Sequence, residues 1–349
     1  MRGGMPPGSA SRTLSRMSTL PAAALDARAQ AARHFALGHL KLSEAETGLA
    51  PASADASFRR YFRLTHGAQS WVVMDAPPAQ EDCRPFIHIA GLVREAGLNG
   101  PAVLAQDLAQ GFLLLGDLGR QTFLHVINAD NADALFSAAI AALLRWQQSS
   151  REGVLPPYDA ALLARELSLF PDWYVARHLG KAFTDEQQTW WDATCALLIE
   201  RALAQPRVFV HRDYMPRNLM ISDPNPGILD FQDAVHGPLS YDVVSLFKDA
   251  FLSWPAERVA AWRQQYWQAA RAAGLPVPDE APFNRDFDLM GLQRHLKVLG
   301  IFARINYRDG KPAYLADTPR FIRYVRAVVD GDAELRPLEQ LFDSLGLHA

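Results

Sequence analysis

The sequence predicts an α+β fold in two lobes: a small N-terminal lobe built on a sheet and a larger, helical C-terminal lobe. Three observations carry that expectation. Strand-like runs gather between Phe58 and Gly119, interrupted by one segment of helical spacing. Beyond residue 120, apolar residues recur at helical spacing over most of the remaining chain. One short β-like passage, VFVHRDYMPRNLMISDPNPGILDFQ (Val208 to Gln232), breaks into those helices and crowds polar residues at the ends of apolar runs.

Taken in order, residues 1–20 (MRGGMPPGSASRTLSRMSTL) are rich in Gly, Pro, Ser and Arg and have no apolar stretch. They are expected to form a disordered leader and not a secretory signal, with Met17 as an alternative start. Residues 21–118 form the expected N-lobe. It opens with a short helix at 24–40. A hairpin follows, its strands Phe58 to Leu64 and Trp71 to Met74 turning at His66-Gly67. PFIHIAGLVREAG (Pro85 to Gly97) starts on proline, keeps helical spacing and ends on glycine, so it is a helix. GFLLLGDLG (Gly111 to Gly119) is a buried strand, and Asp117 to Gly119 form the connection between lobes. Residues 119–349 form the expected C-lobe. ALFSAAIAALLRWQQ, DAALLARELSLF and TWWDATCALLIERAL are helices. Asn225-Pro226-Gly227 turns between two short strands, and the chain from Tyr241 onward is helical.

Composition narrows the class. The chain has 349 residues, 49% hydrophobic and 21% charged, an ordinary globular balance. A net charge of −3 creates no field for nucleic acid or an anionic membrane, and no apolar run reaches transmembrane length. Cys83 and Cys195 stand outside any metal-binding spacing, which points to reduced thiols in the cytoplasm and no structural zinc. The expected partner is a small molecule, with neither nucleic acid nor membrane, and the protein is expected to act as a monomer.

The chemistry concentrates in the pattern H-x-D-x-x-x-x-N, His211, Asp213 and Asn218, followed twelve residues later by Asp230-Phe231. Phosphoryl transfer from a nucleotide needs one carboxylate to orient the acceptor hydroxyl and take its proton. It also needs an amide oxygen and a second carboxylate to hold the cations that bridge the phosphates. One loop supplies Asp213 and Asn218, and a hairpin returns Asp230 beside them. Taken singly, each of these residues suits an ordinary turn or cap; their order and strand context favour the functional reading. No Walker A sequence, H-E-x-x-H or G-x-S-x-G is present.

Residues 206–250 resemble the aminoglycoside phosphotransferase and choline kinase group, through VFVHRDYMPRNLM, GILDFQDA, His236 to Pro238 and Tyr241-Asp242. The resemblance implies a protein-kinase-like fold, ATP and Mg2+. It implies Asp213 as catalytic base, Asn218 and Asp230 as metal ligands, and Asp242 as a structural brace of the loop. From about residue 30 the chain is more closely similar to bacterial anomeric kinases of N-acetylmuramate and N-acetylglucosamine in peptidoglycan recycling. DASFRRYFRL, FLLLGDLG, LSLFPDWYV and LDFQDAVHGPLSYDVVSLFKDAF carry that likeness. It implies a small-molecule amino sugar as acceptor, a sugar 1-phosphate as product, and adenine held by the backbone of residues 115–118, Leu115 and Asp117 included.

The pattern departs from this group at one place. In WVVMDAPP, Asp75 stands near the position of the usual strand lysine, and the next helix offers only Glu95, near its end, as an acidic partner. Arg59, Arg60 and Arg63 are the candidate replacements, because guanidinium binds phosphate oxygens in forked geometry. Strand alternation puts Arg59 and Arg63 on one face and Arg60 on the other. The missing lysine also keeps a non-catalytic nucleotide-binding module in view. For the acceptor, residues 284–326 hold nine Lys/Arg against four Asp/Glu, a net +5. That excess suits a neutral or anionic sugar better than an aminoglycoside or choline, although a solvated helix face explains it equally well. Candidate sugar contacts are Asp172, Trp173, Arg217 and His295; core packing is an equal reading for Trp173 and His295.

Overall fold

Alternation of side chains along neighbouring strands organises the first lobe. The structure is a computed structural model and describes residues 26–53 and 58–348; the expected leader at 1–20 lies outside the described residues. The strands are Gly48–Ser53 (β1), Arg60–His66 (β2), Gln69–Asp75 (β3), Val103–Asp107 (β4) and Phe112–Gly116 (β5). They form one antiparallel sheet in the order β1-β2-β3-β5-β4. Phe62 and Leu64, with Val73, Phe112 and Leu114, face outward. There the helix Ala27–Leu40 (α1) covers them with Ala29, Ala32, Ala36 and Leu37. Tyr61, Val72, Met74, Leu113 and Leu115 face inward, onto the helix Arg84–Glu95 (α2). Pro85 lies in the first turn of α2 and Gly97, at φ +68°, follows its end.

The hairpin falls where it was expected, with Arg60 opposite Asp75 and His66 opposite Gln69. β1 and β4 were not expected. Both are edge strands, and β1 carries Pro51, so neither shows the apolar run of a central strand.

The second lobe begins with Phe123–Val126 (α3), Ala132–Gln148 (α4) and Ala160–Leu167 (α5). A wide π-type helix at Phe170–His178 and the helix Asp185–Ala204 (α6) follow. Four short strands come next: Arg207–Val210 (β6), Leu219–Met220 (β7), Gly227–Ile228 (β8) and Val235–Pro238 (β9). β6 pairs with β9 and β7 with β8, both antiparallel. The chain closes with Tyr241–Phe247 (α7), Ala256–Ala272 (α8), Glu280–Asp309 (α9), Thr318–Val329 (α10) and Arg336–Leu345 (α11).

α9 is the axis of this lobe and is buried along most of Leu289–Ala303. Gly300 lets the wide helix lie directly against it; a Cβ there would come within 2.3 Å of the Leu169 carbonyl. One apolar cluster runs from the inner sheet face through α2 and α4 to β6 and α7, and a second fills α6 and α9 to α11. The β6–β8 passage lies in the first cluster, where the two lobes meet. Among the described residues, no helix is long and apolar enough to cross a membrane.

Candidate active site

β6 ends in a buried run, Val208 to Val210, and everything chemical follows from how the chain leaves it. His211 is buried, which pulls its imidazole down to about 4 and keeps it neutral. Its Nδ1 accepts the backbone N–H of Asp213 at 3.3 Å, so Nε2 carries the proton and donates to the Leu229 carbonyl at 3.0 Å. One side chain thus ties the base loop to the strand that leads to Asp230. Arg212 adopts φ +76°, a conformation that costs energy in a non-glycine residue unless its surroundings enforce it. Asp242 does so: fully buried, its carboxylate accepts the backbone N–H of His211 at 2.6 Å and of Arg212 at 2.9 Å. This is the bracing role that the resemblance implied for Asp242.

The Arg212 side chain turns away from the cleft into a buried cluster around Glu166. That carboxylate accepts from Arg212, from Tyr158, from Lys297 Nζ at 2.8 Å and from Gln293 Nε2 at 3.0 Å. Burial alone pushes the Glu166 carboxyl up, but the adjacent Lys297 and Arg212 outweigh it and hold the group down at about 2.

Asp213 itself is half-buried and lines the cleft, and its carboxylate makes no hydrogen bond among the described residues. Asn218 Nδ2 donates to the Asp213 carbonyl at 2.9 Å and to Asp230 Oδ2 at 3.3 Å, which leaves the amide oxygen available. Asp230, at φ +63°, also accepts from Gln232 Nε2 at 2.9 Å, and the backbone N–H of Leu229 is fixed to the Asn218 carbonyl at 2.9 Å. An amide oxygen and a carboxylate beside an open cleft suit Mg2+, which prefers oxygen, takes few protein ligands and keeps sites for water and phosphate. The structure therefore brings Asp213, Asn218 and Asp230 together as expected.

The cleft holds about 510 Å3. At one end lie Tyr61, Val72, Phe86, Leu115 and Leu229, an apolar slot beneath the sheet; at the other lie Met215, Arg217, Phe251, Arg294 and Tyr314. Leu115 lines the slot with its side chain. Asp117 lines it too, but its carboxylate is taken up by Arg63, at 2.6 Å from Nε and 3.0 Å from Nη2, and by the backbone N–H of Gly119. Arg63 therefore fixes the connection between the lobes. Gly119, at φ +104°, supplies the conformation that this turn needs.

The arginines separate as alternation requires. Arg59 lies 3.7 Å from Glu81, with only 12% of its side chain exposed, and feels the charges of Asp230 and Asp233. Arg60, expected at the nucleotide, is on the opposite face and pairs with Asp26 and Asp75. Asp75 is fully buried between Arg60 and Arg28, so the position where the lysine was sought serves the outer face. Glu95 pairs with Arg151 at 3.0 Å on the surface. The acidic partner of Arg59 is Glu81, in the loop before α2, outside the helix where the comparison with kinases placed the search; of the three arginines, only Arg63 is among the residues that line the cleft.

Three expected sugar contacts do not reach the cleft. Asp172 is exposed on the wide helix, because Phe170, Tyr174 and Val175 take its inward positions. Trp173 packs against the second apolar cluster. His295 is fully buried beside Tyr324 and Phe321, with ring centroids at 4.9 and 5.7 Å. Arg217 does line the cleft, stacked on Phe251 at 4.9 Å. Most of the +5 segment is neutralised by neighbours. Arg285 pairs with Asp332 and Glu334, Lys297 with Glu166, Arg308 with Asp309, Arg320 with Asp317 and Arg326 with Asp330 and Asp343. Of the nine cations only Arg294 is among the residues that line the cleft.

The sequence matches the phosphotransferase enzyme family over residues 48–281. An N-acetylmuramate/N-acetylglucosamine kinase of Pseudomonas aeruginosa is 60% identical over 298 residues, 85% of this chain and 88% of that protein. One of the same name from Neisseria meningitidis is 48% identical over 308 residues, 86% and 92% of the two chains. Among solved structures, an ADP-bound aminoglycoside phosphotransferase matches with a TM-score of 0.57 at 14% identity, over 86% of this chain and 98% of that one.

Proposed function

The chain belongs to the phosphotransferase enzyme family, and from that premise we propose that it is an ATP- and Mg2+-dependent kinase acting on the anomeric hydroxyl of N-acetylmuramate or N-acetylglucosamine in cell-wall recycling. The observation that carries the reading is Asp213, a carboxylate unbonded among the described residues, beside an amide oxygen and a second carboxylate in one cleft. The names of the relatives at 60% and 48% identity supply the acceptor.

In this reading the adenine occupies the apolar slot beneath the sheet, against Leu115 and the backbone up to Leu118. The phosphates run toward Arg59, held in place by Glu81. Asn218 and Asp230 hold Mg2+, which when bound neutralises the phosphate oxygens. The sugar enters from the end lined by Arg217 and Arg294. Asp213 aligns the anomeric hydroxyl and takes its proton; the sugar oxygen bonds to the γ-phosphorus, the bond to the β-phosphate oxygen breaks, and ADP leaves. Two arginines at the acceptor end repel a cationic acceptor, which counts against an aminoglycoside or choline. The reaction requires only small molecules, and the proposal places it in the cytoplasm.

The test is to supply ATP and Mg2+ with N-acetylmuramate, N-acetylglucosamine, kanamycin or choline and to identify products by phosphorus NMR. A sugar 1-phosphate is expected. Phosphate on kanamycin or choline instead would overturn the acceptor, and no product with any of the four would favour a non-catalytic nucleotide-binding module.

A further inference from the structure

We propose that Arg294 is the specificity-determining residue that reads the carboxylate of an acidic sugar acceptor. This rests on the sugar-kinase reading and deepens it. Arg294 lies on α9, is only 2% exposed, and lines the acceptor end of the cleft. A guanidinium in that position calls for a carboxylate or several carbonyls, because its donors lose their water on burial. Arg294 has neither. Its Nη2 faces the Met215 sulfur at 3.9 Å, a weak acceptor, and its Nη1 is buried with no partner among the described residues. Asp242 and Asp249 are near enough to act on it through space, but neither forms an ion pair with it among the described residues. The other buried cation of this helix does have a partner: Lys297 is bound by Glu166.

Position indicates which anion belongs there. Met215 is two residues beyond Asp213 and lines the same cleft. Through Met215, Arg294 adjoins the loop that carries the base. Arg217, two residues further on, makes no ion pair among the described residues and stacks on Phe251, adding a second positive charge at the same end. The two amino sugars in the relatives' names differ by one group. N-acetylmuramate carries a lactyl ether ending in a carboxylate, and N-acetylglucosamine is neutral. A forked guanidinium whose present neighbour is a flexible thioether can take the carboxylate when Met215 moves aside, and the neutral sugar needs no such contact.

The other anions of the reaction are the phosphates of the nucleotide, the transferred group among them, and steady-state kinetics of Arg294→Met on both sugars separate these from the acceptor. If Arg294 reads the acceptor, the KM for N-acetylmuramate rises about 10- to 100-fold while kcat and all constants for N-acetylglucosamine stay near wild type. Unchanged use of the neutral sugar also shows that the variant is folded. The wild-type enzyme should lose a similar factor on the methyl ester of N-acetylmuramate, and the variant should treat acid and ester alike. Equal losses of kcat on both sugars would assign Arg294 to the phosphoryl group and overturn the proposal. Wild-type enzyme that uses acid and ester equally well would also overturn it, whether or not any variant folds. Should Arg294→Met fail to fold, Arg294→Lys takes its place, and a loss confined to the acidic sugar is again required. Wild-type protein that phosphorylates neither sugar sinks the kinase reading itself; wild-type activity on both with an indifferent variant sinks only this inference.

Discussion

Replacing Glu166 by Gln tests whether the charge cluster behind the catalytic loop holds that loop in place. Glu166 is buried and receives four donors, two of them the cations Arg212 and Lys297. Glutamine keeps the shape but leaves two buried cations without an anion, a change that costs about 3–5 kcal/mol in comparable sites. The titration of Glu166 leads to a similar figure. Lowering a carboxyl from the ordinary 4.5 to about 2 corresponds to about 3 kcal/mol of folding stability. Because the folded state depresses this group, its contribution is fully present above pH 4.5 and is lost as pH falls toward 2. Urea unfolding at pH 7 should therefore show Glu166→Gln destabilised by about 3 kcal/mol, with a flatter fall in stability on acidification than wild type. Adding Lys297→Met should restore part of the loss, since it removes one uncompensated cation. Arg212 adjoins Asp213 and sits at φ +76°, so kcat should also fall, by about tenfold on the scale of a displaced catalytic group. A variant within 1 kcal/mol of wild type, with an unchanged acid limb, would refute the reasoning.

Asp213→Asn should lower kcat by about 10² to 10⁴-fold with little change in the KM for ATP; near-normal turnover would remove Asp213 from the role of base. Asp230→Ala should raise the Mg2+ concentration for half-maximal rate by at least about tenfold, and an unchanged Mg2+ titration would exclude it as a ligand. Arg59→Met should raise the KM for ATP by about tenfold or more, as expected for loss of a charge-assisted contact to phosphate. Arg60→Met, on the outer face, should alter urea stability and leave that KM alone. The reverse pattern would exchange the roles given to the two arginines.

Local patterns were legible because their causes are local. The β2–β3 hairpin and α2 follow from alternation, a Gly turn and a proline start within a few residues of each other. Asp213, Asn218 and Asp230 were legible for the same reason: one loop and one hairpin bring them together. Residues whose role depends on distant partners were not legible. Arg212 meets Glu166 across 46 positions and Arg294 meets Met215 across 79. The +5 segment was misleading because the acids that neutralise Arg285 and Arg326, such as Asp332, Glu334 and Asp343, lie outside it. Asp172 and Trp173 failed because a π-type turn sets which positions face inward, and no helical period in the sequence announces it.

The missing lysine is the departure on which the non-catalytic reading rested, and the position of Arg59 weakens that reading. In the usual arrangement a cation on the third strand is oriented by a helix glutamate. Here the third-strand position is Asp75, committed to Arg28 and Arg60 on the outer face, and the glutamate of α2 is committed to Arg151. Loss of the pair for want of selection would leave no buried cation at this strand within the field of Asp230. Instead Arg59, just before the neighbouring strand, is largely buried, lies 3.7 Å from an acid and is within the field of Asp230. In the function proposed above, the phosphate cation stands just before the second strand and its acid in the loop before the helix. Such a pair would serve a phosphate site, since an arginine left without a carboxylate would swing into solvent and lose the orientation that transfer depends on.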